Sequence, residues 1–376
     1  MKIVIFFHKD LRNIIDGQSQ YIYGLDRFLA EKTETMLVTP IGFDLSNMER
    51  VGIKYSLLVF IETTISQMLF LLKNYHMNSK KEWPPYIFFS EDVYTSVFPL
   101  ILSKFFGKEY ILSLSDFGRE YTFRLMAKKG KVFNIIIILK TLIERILVRY
   151  SDLVLVRSLW MVKEVKKTSS RPVKVFYVPH KSSIQSRNEE DINSSLAKYG
   201  LKGKTVVTFL GNYAYNPNFE AAKNIINEIA PELLKHRANV VLILIGYRGL
   251  ERLSNLSRRE NVVVIGETSN LDDFLFGSDI GIAPMTVAGG TSAKIIDYLT
   301  HGMIAVATPE ASKGVIPCRS LITCTQAEFT RTLIQTIDNL QFLKEKTVED
   351  RRLIRTHYLS NVWLENFYNE IKKQSS

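Results

Sequence analysis

The sequence predicts an α/β protein built from two doubly wound domains, and three observations carry that prediction. Short β-branched runs alternate with longer amphipathic segments along the whole chain, the pattern of parallel sheets covered by helices on both faces. The alternation breaks once, in a polar and charged stretch from about His180 to Gly203. At 376 residues the chain is long for one domain and comfortable for two, each able to bury a core.

Taken in order, the first-half strands are Ile3 to Phe7, Thr35 to Thr39, Tyr86 to Phe89, Tyr110 to Leu114, Leu153 to Val156 and Lys174 to Val178, with helices in most of the gaps. The opening MKIVIFF has one lysine, a brief apolar run and no small-residue cleavage pattern before the charged HKDLR. It is therefore expected to form a first strand and not a signal peptide. The apolar stretch from Leu57 to Leu72 is interrupted by Glu62 and by threonine and serine, so it is not expected to span a membrane. In the polar stretch, SSIQSRNEEDINSS shows no clear periodicity until AKYGLKGK, which places a linker there. The strands then resume at Thr205 to Leu210, Val240 to Ile245, Val262 to Ile265, Ile280 to Ala283 and Ile304 to Ala307.

Composition narrows the function classes. Hydrophobic residues make up 46% of the chain and charged residues 23%, which fits a globular protein with little disorder. Cys318 and Cys324 are the only cysteines, too few for a disulfide framework and without partners for zinc, so a reducing, cytoplasmic compartment is expected and no metal site. The net charge of +11 favours an anionic partner: a nucleotide, an anionic lipid surface or nucleic acid. No aromatic-basic stacking motif supports nucleic acid, and neither GxGxxG nor a Walker A loop follows the first strand.

Ligands of doubly wound sheets bind beyond the carboxyl ends of the strands. Three second-half loops lie at such ends. VVTFLGNYAYNPN runs through Gly211 into a helix, with Asn216 as its cap and Pro217 at its first position. LILIGYRGLERL passes through Gly246, and AGGTSAKIIDYLTHG follows the strand ending at Ala283. This last stretch predicts a helix of about three turns between an N-capping Thr291 and a terminating Gly302. Ile295, Ile296 and Leu299 share one side, with Lys294, Asp297 and His301 on the other. Lysine in a first turn opposes the helix dipole, a penalty that a bound anion reverses; glycines ahead of it let backbone amides approach a phosphate. An ordinary surface helix with a Lys/Asp pair satisfies the same pattern.

In this order, FLGNYAYNPNFEAA, VLILIGY, NVVVIGETSNLDDFLFGSDIGIAPM and GGTSAKIIDYLTHGMIAVATPEASKGV resemble the retaining, nucleotide-sugar-dependent glycosyltransferases of the GT-B fold, family 4 (glycosyl transferases group 1). DGQSQYIYGLDRFLAE and YSDLVLVRSLWMVKEV resemble the family's acceptor domain more loosely. The resemblance implies two Rossmann-like domains facing a crevice: an acceptor-side domain over 1–185, a nucleotide-sugar domain over 186–355, and a last segment, 356–376, crossing back through WLENFYNEIKK. It implies transfer of a sugar from a UDP- or GDP-linked donor to a glycan, lipid-linked or protein-linked acceptor, with no cofactor required. Asp297 stands at the acidic position that holds the ribose hydroxyls, usually glutamate. Gly289, Gly290, Thr291 and Lys294 meet sugar and diphosphate, and Gly211, Asn212, Gly246, Tyr247 and Gly266 line the donor site. The sequence departs from the pattern at Gly289, Ser292 and Asn212, where many members have glutamate, arginine and a basic residue. On the acceptor side the candidates at strand ends are His8, Gly17, Glu91, Asp92 and Asp116; His8, Asp116 and Lys294 are the expected catalytic set.

Between Lys104 and Arg149 bases outnumber acids, and AKKGKVFNIIIILKTLIERILVRY joins that charge to an apolar segment with Ile135, Leu139, Leu142 and Ile146 at helical spacing. Such a helix suits the cytoplasmic face of an anionic membrane; a core helix with a solvated end uses the same residues. Two further readings stay open, a catalytically weak nucleotide-binding subunit and a sugar-nucleotide epimerase of the same fold.

Overall fold

The computed structural model describes residues 2–7, 17–38, 64–65, 67, 69, 86–115, 117, 131–169, 172–182, 184–256, 260–287 and 290–374. The chain divides into two compact units, one of residues 1–179 with 361–376 and the other of residues 180–360.

The first unit is built on six parallel strands, β1 (Lys2–Phe6), β2 (Glu34–Val38), β3 (Tyr86–Glu91), β4 (Tyr110–Leu114), β5 (Leu153–Val156) and β6 (Lys174–Tyr177), in the order β2-β1-β3-β4-β5-β6. Every residue of β4 and β5 is buried, as a parallel strand covered on both faces requires. Its helices are α1 (Gly17–Ala30), α2 (Asp92–Phe105), α3 (Lys131–Tyr150) and α4 (Leu159–Thr168). The C-terminal helix Val362–Gln374 also belongs here, since Leu364, Phe367 and Ile371 are buried in the core formed by Ile3, Ile5 and Leu153.

The second unit has β7 (Thr205–Leu210), β8 (Val240–Ile245), β9 (Val262–Gly266), β10 (Ile280–Ala283), β11 (Ile304–Ala307) and β12 (Leu321–Thr323), all parallel, in the order β12-β11-β10-β7-β8-β9. The connections run outward in opposite directions from β7 and β10, so the topological switch point lies between these two strands. The helices are α5 (Glu189–Lys198), α6 (Asn216–Asn224), α7 (Ala230–His236), α8 (Gly249–Leu253), α9 (Leu271–Phe276), α10 (Ala293–Thr300), α11 (Pro309–Ser312), α12 (Phe329–Asp338), α13 (Leu340–Lys346) and α14 (Val348–Leu359). A π-helical turn, Ile225–Ile229, joins α6 to α7.

Three local expectations are corrected. The polar stretch holds helix α5: Asn188 caps it, accepting the Asp191 amide at 2.7 Å, and three acids occupy its first turn. Its periodicity is faint because Leu196 alone is fully buried, packed on Gly277, where a Cβ would sit 2.7 Å from the leucine. Helix α10 covers eight residues instead of about three turns, and its N-cap is Ser292, one residue after Thr291. Helix α6 begins at Asn216 itself, with Tyr215 as cap.

Candidate functional site

The switch point of the second unit gathers the residues that the sequence singled out there. Gly211, Asn212 and Tyr213 leave the end of β7; Gly246 and Tyr247 leave β8; Gly266 ends β9; and the segment after β10 leads through Gly290 and Thr291 into α10, which carries Lys294 and Asp297. His8, Asp116 and Gly289 lie outside the described residues.

Close backbone approach shapes the floor of this site. The Gly211 amide donates to the Ile245 carbonyl at 3.0 Å, and the Gly246 amide to the Gly266 carbonyl at 2.7 Å, extending the strand pairings past their ends. Gly246 has φ +137, and a Cβ there would fall 2.0 Å from the Gly211 carbonyl oxygen. Only glycine satisfies both conditions. Arg248 follows in the left-handed region at φ 58, the backbone turning sharply into α8. Tyr213 is buried beneath these turns, its amide donating to the Tyr247 carbonyl and its hydroxyl to the Phe209 carbonyl.

Helix α10 is anchored from below and ends on a defined stop. The Tyr298 hydroxyl accepts the Leu210 amide at 2.7 Å and donates to the Ile282 carbonyl at 3.3 Å, so one buried side chain ties α10 to both strands of the switch point. The ring covers Gly281, where a Cβ would lie 2.1 Å from it. At the other end Gly302, at φ +86, donates to the Leu299 carbonyl, and Met303 donates to the Tyr298 carbonyl. That pair of bonds is a Schellman motif. At its start, Ser292 makes no side-chain capping bond, which leaves first-turn amides for another acceptor. The preceding Thr291 lies against Gly314, where a Cβ would meet its hydroxyl at 2.4 Å.

Lys294 sits in that first turn. Its ammonium donates to Asn218 Oδ1 at 2.8 Å, lies 3.8 Å from Met285 Sδ, and stands 4.2 Å from the centroid of the Phe209 ring. Asn218 is itself fixed by donating to the Asn212 carbonyl at 3.0 Å. Among the described residues no carboxylate pairs with Lys294. Removed from water and uncompensated, the ammonium has its pKa pushed down to about 7. Phe209 and Asn218 were not visible as site residues in the sequence, because Phe209 reads as a core strand residue and Asn218 as an ordinary first-turn asparagine.

Asp297, one turn later, accepts a hydrogen bond from Ser182 Oγ at 2.7 Å. Burial pushes its carboxyl up to about 6; the Ser182 bond and the nearby His301 pull it down, and Asp272 pushes it up. His301 is buried, its Nδ1 facing the Asp297 carbonyl at 2.7 Å and its Nε2 facing Asp272 Oδ1 at 2.9 Å. The ring is thus held from both nitrogens. His301 therefore bridges α10 to α9 and is not on an open polar face. Ser182 lies in the polar stretch before α5 and carried no sequence signal. Arg252 is a further basic group at the site, its guanidinium 3.8 Å from the Phe219 ring centroid and donating to the Tyr213 carbonyl at 2.5 Å.

In the first unit, Glu91 and Asp92 occupy the end of β3. Asp92 has φ 62 and accepts hydrogen bonds from the Ser115 amide and hydroxyl and from Gln18. Glu91 is fully buried and paired with Arg157, whose guanidinium lies 3.9 Å from the Tyr21 ring centroid. Burial pushes Glu91 up to about 7 against the opposing pull of Arg157.

Comparison with known proteins bears on the fold. Residues 204–339 match the model of the family described as glycosyl transferases group 1. No curated protein matches. Among solved structures, sucrose-phosphate synthase from Thermosynechococcus elongatus is 12% identical with a TM-score of 0.75, covering 99% of this chain and 98% of that one. Anabaena HepE in complex with UDP is 11% identical with a TM-score of 0.69, covering 99% of both chains. WaaG, a glycosyltransferase involved in lipopolysaccharide biosynthesis, is 11% identical with a TM-score of 0.64, covering 97% of this chain and 98% of that one. The fold is that of the GT-B glycosyltransferases.

Proposed function

We propose that this chain is a glycosyltransferase that moves a sugar from a nucleoside diphosphate sugar, UDP- or GDP-linked, to a glycan, lipid-linked or protein-linked acceptor with retention of configuration. The observation that carries the proposal is the Lys294 ammonium, held inside the switch point of the second unit at the start of α10, without a carboxylate partner among the described residues. A half-buried ammonium that has lost hydration in that position gains from an anion that offsets the loss. The diphosphate of a donor supplies one, and the first-turn amides add oriented donors to it.

The chemistry follows from those groups. As the bond from sugar to phosphate breaks, negative charge grows on the leaving phosphate, and a preorganised lysine and helix N-terminus stabilise that growth more than they stabilise the ground state. Asp297 holds the ribose hydroxyls as an acceptor of hydrogen bonds. In this retaining scheme the leaving phosphate takes the acceptor's proton, so neither a carboxylate nucleophile nor a metal is assigned a role, and positioning contributes most of the acceleration. HepE is solved with UDP and with UDP-glucose, which supports a donor of this class. His8, Asp116 and Gly289 complete the proposed set from the sequence alone.

Calorimetric titration with UDP, GDP, ADP and dTDP, on the wild type and on Lys294→Ala, tests the reading. Selective binding of one nucleotide, weakened by the substitution, is expected. Binding to none of them overturns it, and product formed from the nucleotide sugar without any acceptor points to the epimerase.

A further inference from the structure

Helix α3 has an outer face unlike that of any other described helix. At 100° per residue, Ile138, Leu139, Leu142, Arg145, Ile146 and Arg149 fall within an arc of about 120°, and Tyr150 extends it by one position. All seven are exposed, with Ile138, Leu139, Leu142 and Ile146 between 45% and 52%. The opposite arc holds the buried Glu144, Leu147 and Val148. No acid stands on the exposed arc, because the helix's one carboxylate, Glu144, points inward and pairs with Lys140 at 3.3 Å. The face runs about 18 Å along the helix axis. Beside it, the packed neighbour α2 exposes Ile101 at 59% and Phe105 at 79%.

Four aliphatic side chains, a tyrosine and two arginines on one outward arc suit neither plain water nor a purely apolar partner. The arginines lie along one flank of the arc, so their stems can lie over apolar surface while the guanidiniums reach anionic groups at its edge. We infer that the α3 face docks on a bilayer surface bearing anionic lipids, with the aliphatic residues among the acyl-chain ends and Arg145 and Arg149 at the headgroups. The charge fits one such partner: the chain carries +11 overall, and this arc adds two arginines and no acid of its own. No helix among the described residues is long and apolar enough to cross a membrane, so attachment through this helix is peripheral. The docking stands independently of the donor site; its consequence, an acceptor glycan carried on a lipid, rests on the transfer reading above.

The test is co-sedimentation of the full-length protein with vesicles of phosphatidylcholine alone and of phosphatidylcholine with phosphatidylglycerol. Two double variants accompany it, Arg145→Gln with Arg149→Gln and Leu139→Ser with Leu142→Ser. The expected result is binding to the anionic vesicles that falls as salt rises, little binding to neutral ones, and a loss of roughly thirty-fold when both arginines are neutralised. The leucine pair should lose binding at every salt concentration. Far-UV circular dichroism and thermal unfolding should match wild type in both, showing that the first unit, which carries α3, is folded. Wild type that stays in the supernatant at low salt overturns the inference, as do variants that sediment like wild type. Sedimentation velocity supplies a third overturning result: a wild-type dimer that the leucine pair converts to monomer assigns the face to a second copy of the chain.

Discussion

On the proposed donor site, the depressed pKa of Lys294 predicts a donor affinity that falls as pH rises. Burial takes hydration from the ammonium and, among the described residues, no carboxylate replaces it, which pushes its pKa down to about 7. A diphosphate beside it restores the charged form, so binding takes up a proton wherever the free lysine is neutral. Where the bound diphosphate keeps the lysine charged across the range, apparent affinity follows the protonated fraction of the free lysine, which a pKa of about 7 puts at about one half at pH 7 and about one hundredth at pH 9. The expected loss between those values is roughly fifty-fold, or about 2 kcal/mol. UDP-glucose is the right ligand for calorimetry, since its doubly esterified diphosphate does not titrate in this range while a free nucleoside diphosphate does. Lys294→Gln should bind more weakly at pH 7 and show a flat profile. A wild-type curve as flat as that of the variant refutes the reasoning, because it means that the ammonium is either not enclosed or not facing the diphosphate. The same shift has a stability consequence of opposite sense. The unfolded chain binds more protons than the folded one between pH 7 and about 10, so the ligand-free second unit should gain stability as pH rises through that window.

Further expectations concern single residues. Asp297→Ala should weaken nucleotide binding by about 1.5–3 kcal/mol, the range of hydrogen bonds to a charged group, while binding of inorganic pyrophosphate, which lacks the ribose, should hardly change. Wild-type affinity for the nucleotide should also fall below pH 6, as Asp297 takes up its proton. Gly246→Ala should cost about 3 kcal/mol or more in urea denaturation, combining a disallowed φ with a Cβ 2.0 Å from a carbonyl oxygen. Gly203→Ala, at φ +75 with open space around it, should cost only about 1 kcal/mol; equal losses at the two positions would show that the close contact is not real. Arg157→Met leaves Glu91 buried without its cation and should destabilise the first unit by about 3–5 kcal/mol at pH 8. Glu91 has a folded pKa above its unfolded value, so the loss should shrink towards pH 5, where the carboxyl is neutral in the folded state; a loss independent of pH would contradict the assignment.

What the sequence revealed and what it hid follow from how local each signal is. A parallel strand buried on both faces is a run of β-branched and aliphatic residues, so β7, β8, β10 and β11 could be bounded from composition alone. The three-residue β12 could not, because as a half-exposed edge strand it needs no such run. Helix α5 was hidden for the converse reason. Its cap and first-turn acids, Asn188 to Asp191, are strong local signals, but a surface helix with one fully buried residue has almost no periodicity to read. At the candidate site, Gly211, Gly246, Gly266 and Lys294 stand out in the sequence because backbone geometry and helix position constrain residue type locally. Asn218, Phe209 and Ser182 do not, since what qualifies them is a distance across the fold: 76 residues separate Asn218 from Lys294, and 115 separate Ser182 from Asp297.

That difference bears on how the departures from the family pattern should be weighed. The missing basic residue at Asn212 suggests, from sequence, a diphosphate site short of charge. In the fold the Asn212 side chain accepts the Ala214 amide at 3.0 Å and shapes the turn after β7, while its backbone carbonyl, which any residue supplies, holds Asn218 and through it the Lys294 ammonium. A lysine or arginine at position 212 would raise the local charge and push the Lys294 pKa lower still, because two cations in one enclosed site disfavour each other. With asparagine there, the proposed anion site consists of a single lysine of lowered pKa and a helix start without a side-chain cap. Such a site is costly to keep charged when empty and is completed by its ligand, so the substitution at 212 is compatible with a working donor site.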